Sequence, residues 1–125
     1  MSQILVVDDD ASHRTLLCDF LEELGYQTFQ AANGREALDF LEESLPQAVL
    51  LDLRMPVMSG WALLDALKKL PRARGLPIVV ISAYGYEWEA ELVGAAGYIS
   101  KPVDLEKVRA TVEQVVGPPQ VQMLH

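Results

Sequence analysis

The sequence predicts an α/β domain: a doubly wound, five-stranded parallel sheet with helices on both faces. Two observations carry this. Short β-prone apolar runs alternate with stretches of helical period, five times over. The strongest runs are apolar at successive positions rather than at every second one, the pattern of strands buried on both faces. Right-handed crossovers then wind helices onto both sides of the sheet.

The elements follow in order. Ile4-Leu5-Val6-Val7 is the first strand and ends in three acids. From Ala11 the period changes. Leu16, Leu17, Phe20, Leu21 and Leu24 fall on one helical face, and Gly25 is a natural residue just past a helix end. Cys18 joins this stripe as a small buried hydrophobe. Gln27 to Ala31 reads as a short strand. Asn33-Gly34 starts a helix whose apolar face is Ala37, Leu38 and Leu41, and Pro46 follows it. Ala48-Val49-Leu50-Leu51 is the third strand, ending in Asp52. Met55 to Gly60 is a loop, and Trp61 to Leu70 a helix with Trp61 as a packing residue. Pro71 to Leu76 is a turn-rich connection, and Pro77 to Ile81 the fourth strand. Glu87 to Val93 is a weak, short helix candidate. Tyr98-Ile99 lies in a fifth strand closed by Lys101-Pro102. Leu105, Val108, Val112 and Val115 mark the last helix, which Gly117-Pro118-Pro119 stops. Residues 1–116 form the domain, and 117–125 read as a C-terminal tail or linker stub.

Composition narrows the function classes. A hydrophobic share of 50% excludes a disordered chain. The net charge of −8 argues against direct nucleic-acid binding, which needs a basic face, and disfavours anionic membranes. No apolar run reaches the roughly 20 residues of a membrane span. Met1-Ser2-Gln3 lacks the basic region of a signal peptide, so the expected location is cytoplasmic. A single cysteine rules out an intramolecular disulfide.

The chemistry lies at the strand ends. Asp8, Asp9 and Asp10 follow the first strand, Asp52 the third, Ser82 the fourth and Lys101 the fifth. Ligands of such sheets bind outside the carboxyl ends of the strands. The fold therefore gathers at least three carboxylates, a hydroxyl and an ammonium on one edge. Crowded carboxylates repel one another unless a cation intervenes. A hard, oxygen-seeking ion fits best, Mg²⁺ or alternatively Mn²⁺. A carboxylate beside such an ion can attack phosphorus, and Lys101 and Ser82 could neutralise charge on phosphoryl oxygens. Each residue alone has a plainer reading, as a helix cap, a turn residue or a solvated charge. Their conjunction at successive strand ends does not.

These residues resemble the receiver domains of bacterial two-component signalling. The matching segments are Ile-Leu-Val-Val-Asp-Asp-Asp at 4–10, Leu-Leu-Asp-Leu-Arg-Met-Pro at 50–56 with Met58 and Gly60, Ile-Ser-Ala at 81–83, and Gly-Tyr-Ile-Ser-Lys-Pro at 97–102. The resemblance spans about residues 3 to 116. It implies a flavodoxin-like sheet of order 2-1-3-4-5, like the single-domain chemotaxis receivers. It also implies that Asp52 is the phosphoacceptor and that Asp9 holds Mg²⁺ directly, with Asp8 acting largely through water. Asp52 and the backbone carbonyl of Arg54 complete the metal set. Ser82 is the switch hydroxyl, Ala83 the small residue beside the pocket and Tyr98 the switch aromatic. Lys101 pairs with the phosphoryl group, and a cis peptide joins it to Pro102. Arg54 and Tyr84 flank the pocket at positions that tune phosphoryl lifetime. Asp10 matches a variable position and receives no role. His13, one turn into the first helix, is expected to face solvent or a partner rather than a metal.

The implied partner is a histidine kinase or a histidine phosphotransfer protein. The implied activity is self-phosphorylation and self-dephosphorylation of a signalling module, not turnover of an external substrate. A phosphorylation-dependent homodimer is compatible with this, and the downstream effector is not specified. No DNA-binding segment follows, which suits a stand-alone receiver or a piece of a longer protein. One departure stands out. Nineteen positions separate Ser82 from Lys101, about one helical turn fewer than the family usually has. The helix between the fourth and fifth strands is therefore expected to be short, and Tyr84 to Gly94 to depart most from an ordinary receiver. Tyr84, Tyr86 and Trp88 also make that stretch rich in aromatics.

Three rivals remain. A haloacid-dehalogenase-like phosphatase would use Asp8 as nucleophile and Asp10 as general acid, but it lacks a further acidic loop after Lys101. A degenerate receiver acting only by binding fits poorly with five intact central residues. A flavin binder would need a phosphate loop where this chain has acids.

Overall fold

The strand starts and stops follow local chemistry. The computed structural model describes residues 2–53, 58–82 and 94–119. Strand β1 is Gln3–Val7, β2 Gln27–Ala31, β3 Ala48–Asp52, β4 Ile78–Ser82 and β5 Gly97–Ser100. Helices α1 (Ala11–Leu24), α2 (Gly34–Glu43), α3 (Gly60–Lys68) and α4 (Leu105–Val116) alternate with them, and a single 3₁₀ turn spans Pro71–Ala73. All pairings are parallel, and the sheet order is β2-β1-β3-β4-β5. The short helix expected between the fourth and fifth strands lies outside the described residues, as does the tail from 120 to 125.

Each helix has its signals. Asp10 caps α1 by accepting from the Ser12 and His13 amides, Asn33 caps α2, Ser59 caps α3 and Asp104 caps α4. Such caps satisfy amides that have no partner within the helix. Gly25 ends α1 in the left-handed region at φ 110°, where a side chain would be strained.

The sheet is buried on both faces, which explains its unbroken apolar runs. Leu5, Val7, Val49, Leu51 and Val80 point to one face, beneath Ala37 and Leu41 of α2 and Leu63, Leu64 and Leu67 of α3. Ile4, Val6, Leu50, Val79, Ile81 and Ile99 point to the other, against Leu17, Cys18 and Leu21 of α1 and Val108 and Val112 of α4. Cys18 is buried, as its place in the stripe predicts.

Two packing expectations are corrected. Leu16 is 49% exposed, because the buried stripe of α1 runs through Leu17, Cys18 and Leu21 and turns Leu16 outward. Trp61 is 39% exposed rather than packed. It shares the solvent side of α3 with Asp65, four residues on, while Leu63, Leu64 and Leu67 take the core.

Candidate functional site

Parallel strands carry their last residues to one edge, so the sheet itself assembles the site. Asp8 follows β1, Asp52 ends β3, Ser82 ends β4 and Lys101 follows β5. Register brings Asp52 level with Ile81, and Ser82 level with Ser100. Asp8, Asp52 and Ser82 are buried polar residues, whereas Asp9 is exposed.

Asp8, Asp9 and Asp52 each offer a carboxylate oxygen within 4.8 Å of the others, with burial that leaves Asp9 at the open side. An all-oxygen donor set of this kind suits a hard divalent cation with remaining water positions. Lys101 Nζ lies 2.8 Å from Asp52 Oδ2, the ammonium donating to the carboxylate. Burial works to lower the Lys101 pKa. Its hydrogen bond to Asp52 and the charges of Asp52, Asp8 and Asp9 outweigh that and hold the ammonium above its ordinary range. The Lys101–Pro102 peptide is cis, as the resemblance implies.

The approach of β3 to α3 depends on Gly60. Its amide donates to the Leu53 carbonyl at 3.1 Å. A Cβ there would stand 2.7 Å from Leu53 Cα and 2.8 Å from the Asp52 carbonyl oxygen. Only a residue without a Cβ lets α3 start so close beneath the end of β3. On the opposite flank, the Ser82 carbonyl accepts from the Lys101 amide at 3.1 Å and from the Tyr98 hydroxyl at 3.4 Å. Tyr98 is half-buried against the α2–α3 side of the core. Arg54, Ala83 and Tyr84 lie outside the described residues.

Three residues do more than their sequence pattern indicates. Asp10, given no role, is the α1 cap. His13, expected to face solvent or a partner, instead has its Nδ1 against Asp8 Oδ2. Arg14 donates through Nη1 to the Asp8 carbonyl at 2.6 Å and through Nε to Gln30 Oε1 at 2.9 Å, tying α1 to the ends of β1 and β2. The signal for His13 was its spacing. Asp10 at the cap puts His13 at the third helical position, where a side chain reaches back past the cap.

The arrangement is that of a phosphoaspartate signalling module. The chain belongs to the response regulator receiver domain family, whose model matches residues 4–113. Sporulation initiation phosphotransferase F of Bacillus subtilis (strain 168) is 36% identical over 115 residues, covering 90% of this chain and 91% of that protein. The chemotaxis response regulator CheY4 of Vibrio cholerae superposes with a TM-score of 0.85 at 30% identity, covering 92% of this chain and 98% of that one. The receiver domain of a sensor histidine kinase from Pseudomonas aeruginosa PAO1 was solved with a magnesium ion coordinated in its active site cleft. It superposes with a TM-score of 0.84 at 25% identity, covering 93% of this chain and 98% of that one. The chain is thus a receiver domain of two-component and phosphorelay signalling, a class phosphorylated on aspartate that interacts with histidine kinases or phosphotransfer proteins. No helix among the described residues is long and apolar enough to cross a membrane.

Proposed function

We propose that this chain is a cytoplasmic module with Asp52 as its phosphoacceptor, taking a phosphoryl group from the phosphohistidine of a histidine kinase or histidine phosphotransfer protein. The observation that carries this is the convergence of Asp8, Asp9 and Asp52 within 4.8 Å, with Lys101 Nζ on Asp52 Oδ2 at 2.8 Å. An Asp52 carboxylate oxygen attacks phosphorus in line with the phosphorus–nitrogen bond of the donor. That bond breaks, the imidazole keeps its electron pair, and an acyl phosphate forms on Asp52.

Asp9, Asp52 and the Arg54 carbonyl would hold Mg²⁺, or alternatively Mn²⁺, with Asp8 acting through water. When bound, the cation neutralises charge on the phosphoryl oxygens and lets three acids share one pocket. The magnesium ion of the Pseudomonas receiver supports this reading. Lys101 exchanges its Asp52 partner for a phosphoryl oxygen without leaving the pocket. Ser82 donates to a second oxygen, and Ala83 leaves room for it. Tyr98 reports that movement through its bond to the Ser82 carbonyl, and the face around β5 and α4 changes for an effector or a second copy of the chain. Residues 1–116 are the receiver, and 117–125 the tail. The only chemistry is the gain and hydrolysis of the module's own phosphoryl group.

Acetyl phosphate with Mg²⁺, followed by mass spectrometry, tests the assignment. The label should map to Asp52 and vanish in Asp52→Asn. Label on Asp8 or Asp10 that survives Asp52→Asn would overturn it and favour the phosphatase-like chemistry.

A further inference from the structure

A carboxylate serves a cation only while it is turned toward it, and the turn of Asp8 has a visible cause. We propose that His13 is a positioning residue for the phosphoryl-transfer site: its imidazole, bonded to Asp8 Oδ2, holds that carboxylate toward Asp9 and Asp52. This rests on the reading of the three acids as a cation site.

The backbone of Asp8 is held from two sides. Its amide donates to the Ala31 carbonyl at 3.1 Å, and its carbonyl accepts from Arg14 Nη1 at 2.6 Å. Neither contact orients the carboxylate. Oδ1 accepts from the Asp10 amide at 2.9 Å, which leaves rotation about that contact open. Oδ2 meets His13 Nδ1, and the second contact fixes the plane of the group. The terminal torsion of an aspartate is otherwise broad. Asp8 is only 2% exposed, so water is a poor substitute for the lost partner.

The ring is itself anchored. The His13 amide donates to Asp10 Oδ1 at 3.2 Å, and the side chain is 19% exposed. Asp8, Asp10 and His13 therefore close a small loop between the end of β1 and the first turn of α1. The residue type suits the task. An imidazole can donate through Nδ1 while carrying no charge, so it can orient the acid without cancelling the charge that draws a cation. The permanently charged Arg14 is spent on the Asp8 carbonyl instead.

Calorimetric titration of the full chain with Mg²⁺ tests this, using wild type, His13→Ala, His13→Asn and Asp9→Ala. His13→Ala should bind Mg²⁺ about 10-fold more weakly, the lower range for losing an outer partner that orients a metal site. His13→Asn puts an amide nitrogen near the place of Nδ1 and should recover most of that loss. Labelling of His13→Ala by acetyl phosphate should lag at low Mg²⁺ and catch up at saturation. His13→Met, which keeps bulk without a donor, replaces the alanine variant if that chain does not fold. Affinity in the alanine variant equal to or tighter than wild type would overturn the proposal. So would equal affinity losses in His13→Ala and His13→Asn that track an equal fall in melting temperature, because that is a packing role. If wild type takes up Mg²⁺ and Asp9→Ala abolishes it, an unaltered His13→Ala sinks the His13 role alone. If wild type binds no Mg²⁺, the cation site falls and the His13 role falls with it.

Discussion

The two ends of the sheet are built from different chemistry. Where the strands begin, neutral pairs tie neighbouring segments together. The Gln3 amide donates to Gln47 Oε1 at 2.8 Å, the Gln47 amide to the Gln3 carbonyl at 2.8 Å and the Gln27 amide to the Ser2 carbonyl at 2.9 Å. The Tyr26 hydroxyl donates to the Gly117 carbonyl at 2.9 Å. Where the strands end, charged groups crowd together: Asp8, Asp9, Asp52, Lys101 and, from α1, Arg14. Neutral pairs satisfy their own donors and acceptors and keep the strand starts in register. Gathered charges cost desolvation that pairing only partly returns, so a fold has no structural need to concentrate them. The end that holds the fold and the end proposed to do chemistry should therefore answer differently to substitution.

Lys101 offers the largest separation. Lys101→Met should slow labelling by acetyl phosphate about 10²-fold, the scale for removing one group aimed at developing charge. Without Mg²⁺ the variant should also melt earlier, because three acids have lost a neighbouring cation. Saturating Mg²⁺ should return most of that stability and little of the rate. A rate that recovers together with stability would mean that Lys101 only balances charge.

Gly60 lies where the two behaviours meet. Gly60→Ala places a Cβ 2.7 Å from Leu53 Cα and 2.8 Å from the Asp52 carbonyl oxygen. Both neighbours are backbone and cannot swing aside. The substitution should cost roughly 1–3 kcal/mol in urea unfolding, as overpacking does. It should also slow labelling, because the strain falls on Asp52, the proposed acceptor. Lost stability with an unchanged rate would show that the end of β3 yields without moving the carboxylate.

Much of this was legible in the sequence because the sheet is parallel. Period and strand-end position alone put Asp8, Asp52, Ser82 and Lys101 on one edge, and the cis peptide at Pro102 followed from the family resemblance. What escaped depended on rotation about helix axes and on caps. Leu16 sits beside Leu17 in any count of apolar residues, yet one step of 100° carries it into solvent. Trp61 misled through its size, since an aromatic beside a cap suggests packing, whereas three leucines already fill the α3 side of the core. The His13 contact is hidden in the sequence because its partner lies five residues back, across the cap. That contact exists only once Asp10 has fixed where α1 begins.

Tyr26 is the smallest and cleanest test of the structural end. Its ring is buried under α1 and α4, and its hydroxyl donates to the first residue past α4. Tyr26→Phe keeps the ring and deletes one neutral hydrogen bond, so it should cost about 1 kcal/mol, or about 4 °C of melting temperature. Labelling of Asp52 should not change. The pH dependence carries a second signature. Burial, then the charge of Glu113, pushes the Tyr26 pKa above its ordinary value, with Arg109 opposing. The folded chain thus holds the phenolic proton more tightly than the unfolded chain does. The stability this contributes is complete below the ordinary tyrosine value of about 10 and is lost as pH rises through the folded pKa. Burial also pushes the Cys18 thiol up, so the same sign begins from about pH 8.5. Tyr26→Phe should therefore make the alkaline fall in urea-unfolding stability shallower without abolishing it. An unchanged alkaline slope would show that the phenol ionises as readily folded as unfolded, and that Gly117 is held by the end of α4 rather than by Tyr26.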